Sequence, residues 1–81
     1  MSAQAATAMR ISMAVLQACT DGPAPEGPLY AAAMAHGCTA QVWEEIVSAL
    51  VAVGMLERVG KYQLRATAKG REMAKLAKLL G

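Results

Sequence analysis

Three side chains of the types that hold soft metals occur in this chain, Cys19, His36 and Cys38. A His-x-Cys pair with one distant cysteine lacks the paired spacing of a structural zinc site, so no metal centre is expected from them. Cys38 stands close to an expected helix start, where a thiol can ionise more easily and sense oxidants; a buried or turn cysteine is the plainer reading. His36, near the carboxyl end of a short helix, suits the negative end of the helix dipole. Glu44 and Glu45 are adjacent and diverge by about 100° on a helix, so they cannot share a substrate as an acid/base pair. There is no nucleophile motif and no glycine loop shaped to cradle phosphate. No catalytic residue, metal or cofactor is expected, and the chain does not read as an enzyme.

The remaining chemistry is that of charge. The net charge of +2 is very unevenly placed. Residues 1–57 hold Arg10 against Asp21, Glu26, Glu44, Glu45 and Glu57, a balance of −4, whereas residues 58–81 hold seven cations against Glu72, a balance of +6. A polyanion would therefore meet the carboxyl-terminal third.

Elements must present those charges, and 81 residues suffice for one small domain near the lower size limit for a stable monomer. A hydrophobic content of 56% with no Phe and six Met implies a core of Ala, Val, Leu and Met, mainly helical. Residues 3–20 lack Gly and Pro and read as a first helix. Its two apolar stripes, Met9/Met13/Leu16 and Ala8/Ile11/Val15/Cys19, fit either a central core helix or a subunit interface. Leu16-Gln17-Ala18-Cys19 superficially matches a lipoprotein cleavage box, but the apolar run before it is too short for a secretory signal, and no stretch has transmembrane length. A cytoplasmic protein with reduced thiols and no membrane partner is expected. Three prolines make 21–28 a rigid loop. Pro28 fits a helix start, giving a second helix over 29–36 ended by Gly37. A third helix follows over 39–53 with Thr39 as cap and Val42, Trp43, Ile46, Val47, Leu50 and Val53 as its buried stripe.

The segment from Gly54 to Gly70 reads as a hairpin over 55–66 followed by a last helix over 68–80. Gly60-Lys61 has the form of a two-residue type II′ turn, which would set Val59 opposite Tyr62 and Arg58 opposite Gln63. Val59, Tyr62, Leu64 and Ala66 would then share an apolar face, and Arg58, Gln63 and Arg65 a basic one. By the same parity Glu57 falls on the apolar side and Leu56 on the polar side. Trp43, Leu50, Tyr62 and Leu64 are expected to be buried together. In the last helix Met73, Leu76, Ala77 and Leu80 form the expected core stripe, with Leu79 left over as a second contact surface.

A helix ending in glycine, then Leu56-Glu57-Arg58, a hairpin carrying Tyr62-x-Leu64, and the Thr67-x-x-Gly70 helix entry resemble the winged helix-turn-helix family of DNA-binding domains. The likeness covers roughly residues 5–80, because a short helix, a glycine turn and a longer helix precede the hairpin. It implies a mainly α fold of three helices, a two-stranded wing and a carboxyl-terminal helix. It also implies docking on duplex DNA by a small transcriptional regulator or accessory factor. Arg58, Lys61, Arg65, Lys69 and Arg71 would contact phosphates, and Gln41, Glu44 and Ser48 would face the bases. The sequence departs from the family pattern in placing Arg65 and Ala66 between Leu64 and Thr67. It also lacks Lys and Arg on the outward face of the third helix, where Glu44 and Glu45 would repel phosphates unless a glutamate accepts from cytosine. Two readings therefore stand: a DNA-binding protein, expected to be a homodimer, or a winged-helix interaction module whose acidic third helix binds a basic protein.

Overall fold

The computed structural model describes residues 3–80. In chain order the elements are α1 (Ala3–Ala18), β1 (Ala24–Pro25), α2 (Glu26–Ala35), α3 (Ala40–Ala52), β2 (Leu56–Val59), β3 (Gln63–Ala66) and α4 (Ala68–Leu80). The fold is thus mainly helical with a small antiparallel sheet. The sheet has three strands in the order β1-β3-β2, one more than the expected hairpin.

The added strand lies in the stretch read from sequence as a rigid loop. Ala24 pairs with Leu64 and Pro25 with Gln63. Pro25 is tolerated because β1 is an edge strand, where a missing N–H leaves no ladder bond unmade. Directly afterwards the Glu26 N–H donates to the Tyr62 carbonyl at 2.8 Å and α2 begins, three residues earlier than Pro28 suggested. Pro28 then occupies the third helical position, still within the first turn, where amide hydrogens have no partner inside the helix. At the other boundary α1 stops at Ala18, and the Thr20 hydroxyl donates to the Gln17 carbonyl at 2.8 Å.

Helix α3 is capped as expected, Thr39 Oγ1 accepting from the Val42 N–H at 3.2 Å. Trp43, Ile46, Val47 and Leu50 are buried along one side, together with Ile11, Val15, Leu16 and Cys19 of α1 and Leu56, Leu64 and Ala66 of the sheet. Val53, expected in the same stripe, is 49% exposed because the helix has ended and Val53 is its C-cap.

The hairpin register differs by one residue from the two-residue turn. Val59 pairs with Gln63, Arg58 with Leu64, Glu57 with Arg65 and Leu56 with Ala66. Three residues, Gly60, Lys61 and Tyr62, therefore make the connection, with Gly60 at a φ of 68° that other residues adopt only at a cost. A slip of one residue exchanges the faces of a strand relative to its partner. Leu56 joins Leu64 and Ala66 in the core and Glu57 turns outward beside Arg65. Tyr62, expected in the core, is 70% exposed at the turn.

Thr67 joins the sheet to α4. Its N–H donates to the Met55 carbonyl at 3.0 Å, and its hydroxyl oxygen accepts from the Gly70 N–H at 3.1 Å and donates to the Gly54 carbonyl. Helix α4 then approaches so closely that a Cβ on Gly70 would lie 1.9 Å from the Met55 carbonyl oxygen. The face it buries is accordingly one of small residues, Gly70 and Ala74, flanked by partly buried Met73 and Ala77. Leu76 and Leu80, expected on the core stripe, stand about 100–140° round the helix from that face and are exposed.

Candidate nucleic-acid interface

Arg58 leaves β2 on the core side of the sheet, near the turn of the hairpin. Its guanidinium donates to Glu26 Oε1 at 2.9 Å and to Glu44 Oε1 at 3.2 Å. The other oxygen of Glu26 accepts from the indole N–H of Trp43 at 2.9 Å. The Trp43 ring packs against Tyr30 with centroids 5.9 Å apart. A buried indole requires an acceptor for its one donor, and Glu26, in the first turn of α2, supplies it where the helix dipole favours a carboxylate. Arg58 then brings charge balance to that carboxylate, whose side chain is only 18% exposed. The group ties α2, α3 and β2 together and holds the expected phosphate ligand Arg58 between two acids.

Arg65 is likewise paired. With Glu57 directly across the hairpin, its Nε donates to Glu57 Oε1 at 2.7 Å and a terminal nitrogen donates to the same oxygen. Lys61, at the turn beside exposed Tyr62, forms no ion pair with any described residue. Lys69 donates to the Val53 carbonyl at 2.8 Å and Arg71 to the Ala66 carbonyl at 3.0 Å, so both positions are fixed while their charges face no carboxylate within ion-pair distance. Of the five expected phosphate contacts, Lys61, Lys69 and Arg71 thus keep unbalanced charge.

Gln41, Glu44 and Ser48 lie on one outward face of α3, all exposed, with Glu45 beside them. Positions i, i+3 and i+7 bring them together on a helix. That face holds no cation of its own, and the one that reaches it is Arg58, through Glu44.

Neither thiol belongs to this region. Cys19 is fully buried in the core, where burial pushes its thiol above the ordinary range. Cys38 is buried at the turn between α2 and α3, and its thiol donates to the Thr39 carbonyl. Exposed His36 lines a shallow hollow beside it.

Two parts of the arrangement were not assigned from sequence. Glu26 was read as loop, although a single core tryptophan that needs an acceptor is a signal that could have found it. Lys75 and Lys78 entered only among the seven cations of residues 58–81 and not as phosphate contacts, yet they and Arg71 line one groove, with Gln17, Thr20 and Asp21 opposite. No described helix is long and apolar enough to cross a membrane. Compared with known proteins, the chain matches no protein-family model, no curated protein and no solved structure.

Proposed function

We propose that this chain is a winged helix-turn-helix protein that docks on duplex DNA and acts as a small transcriptional regulator or accessory factor, as a homodimer. The fold reading is supported by the helix order, the glycine turn before α3 and the exposed hairpin tip ahead of α4. The DNA reading is carried by one observation: Lys61, Lys69, Arg71, Lys75 and Lys78 all lie carboxyl-terminal to α3, and none is in an ion pair among the described residues. Docking is electrostatic in this reading. Lys61 at the wing tip and Lys69 and Arg71 at the start of α4 engage phosphates, and Gln41, Glu44 and Ser48 are the base-facing side chains. Arg58 and Arg65 serve chiefly to shape the wing through Glu26, Glu44 and Glu57. Homodimerisation is supported by Leu76, Leu79 and Leu80, which are 49%, 77% and 89% exposed on one helix.

Glu44 and Glu45, exposed together on α3, favour a second reading in which this acidic face binds a basic protein. A salt titration of binding to random-sequence duplex DNA separates the two. Under DNA docking, Lys61→Ala and Lys69→Ala each lower the slope of log affinity against log salt by about 0.9, for every sequence alike. Glu44→Ala and Glu45→Ala should strengthen non-specific binding by relieving phosphate repulsion, or erase a preference for cytosine if the helix reads bases. Absence of duplex binding at low salt removes the DNA reading and leaves the interaction module.

A further inference from the structure

Helices α1 and α4 pack against each other and leave a groove of about 500 Å³ between them, lined by Gln17, Thr20, Asp21, Arg71, Lys75 and Lys78, with Ala74 as its floor. No residue of α3 or of the hairpin lines it. The two helices run in opposite directions, since Thr20 lies with Arg71 at one end while Arg10 and Ala77 border a second hollow at the other. Arg71, Lys75 and Lys78 therefore form a row along one wall of the groove, and Arg10 borders the second hollow, with which the groove shares Gln17. None of the four has an ion-pair partner among the described residues, and Asp21 is the one carboxylate in the groove.

We infer that this groove is a second nucleic-acid surface, which receives a phosphodiester backbone independently of α3 and the wing. Like charges at i, i+4 and i, i+3, as in Arg71, Lys75 and Lys78, weaken a helix on their own account, and no ion pair among the described residues offsets this. Its spacing suits a regular polyanion. Four and three residues of helix set successive cations about 6 and 4.5 Å apart along the axis, within side-chain reach of charges that recur about every 3.4 Å along a strand. The walls suit it too: Gln17 and Thr20 offer amide and hydroxyl groups of the kind that contact phosphate oxygens. A flat bilayer would meet the rims and not the floor of such a channel, and the exposed leucines of α4 lie outside it. The inference rests on the reading that the chain binds nucleic acid, and adds to it a groove from which that reading engages only Arg71.

The test is fluorescence anisotropy of the full chain with a labelled random-sequence duplex, the matching single strand, and phosphatidylserine vesicles, over a range of salt. Lys75→Gln/Lys78→Gln, both exposed positions, should leave the Trp43 emission unchanged, lower duplex affinity at least tenfold at 0.15 M salt and reduce the salt slope by about 1.8. Asp21→Asn should raise affinity severalfold. An unchanged slope and affinity in the double variant overturns the groove. If Lys61→Gln weakens binding while the groove variants do not, wing docking stands and the groove falls. If the groove variants weaken binding while Lys61→Gln does not, the groove stands alone. Wild-type protein that binds vesicles but neither nucleic acid overturns both.

Discussion

Glu26 carries more of this structure than any other charged side chain, because one carboxylate serves both the buried indole of Trp43 and the guanidinium of Arg58. Glu26→Ala leaves the indole N–H without its acceptor and is expected to cost about 2 kcal/mol in chemical denaturation, with a shift in Trp43 emission. Glu26→Gln keeps an acceptor oxygen but loses the charge on Arg58, so it should cost less. If the two variants are equally unstable, the indole bond is not the main term. Cys19 allows a prediction about pH. Its thiol is raised by burial above the 9.0 of an exposed group, so the folded state disfavours the thiolate. The sign follows from linkage: stability from this site is intact below 9.0 and declines as pH climbs from there toward the folded value. The advantage of wild type over Cys19→Ala should therefore shrink in strongly alkaline buffer, as followed by denaturation midpoints.

Among the elements, α4 depends most on a single position. Gly→Ala in a helix ordinarily gains about 0.5–1 kcal/mol, but at Gly70 the new methyl would meet the Met55 carbonyl oxygen at 1.9 Å. The clash prevails, and Gly70→Ala should lose about 3 kcal/mol or more, measured by urea unfolding. This contact also explains what sequence reading could and could not supply. Helix starts and stops were legible where Gly or a capping hydroxyl marked them, as at Thr39 and Thr67, but Pro28 put the start of α2 three residues too late. The buried stripe of α3 was legible because large apolar residues recur on one side. The stripe of α4 was not, because the helix packs through its smallest residues and leaves its leucines aside, a choice set by the approach of another backbone. Strand β1 was illegible for a related reason, since two residues, one a proline, become a strand only through a partner some forty positions away. The turn was misjudged by one residue, and that slip hid the pairing of Glu57 with Arg65. The candidate site suffered accordingly: its outward α3 residues were placed as exposed, but Arg58 and Arg65 had been counted as free charges.

For the whole molecule, three exposed leucines on α4 matter more than any single pair. Burial of one such side chain contributes about 1.5–3 kcal/mol, so a symmetric contact using Leu76, Leu79 and Leu80 from both copies could sustain a dimer. Sedimentation equilibrium at micromolar concentration should give twice 8.4 kDa, and Leu79→Glu should return the monomer mass. A wild-type monomer would remove the dimer reading. The pairing of Ala24 with Leu64 has a different, kinetic consequence. Helices and a tight hairpin form within microseconds from neighbours in the chain, whereas closing β1 onto β3 must first bring together segments separated by α2, α3 and β2. That closure should come late, after the rate-limiting barrier. Ala24→Gly, which weakens the small strand, is then expected to steepen the loss of the native state by speeding unfolding while leaving the refolding limb of a chevron plot in place. The amino-terminal helix, tied directly to β3 by the bond from the Ala66 N–H to the Cys19 carbonyl and held in the core by Ile11, Val15 and Leu16, should stay docked while β1 opens.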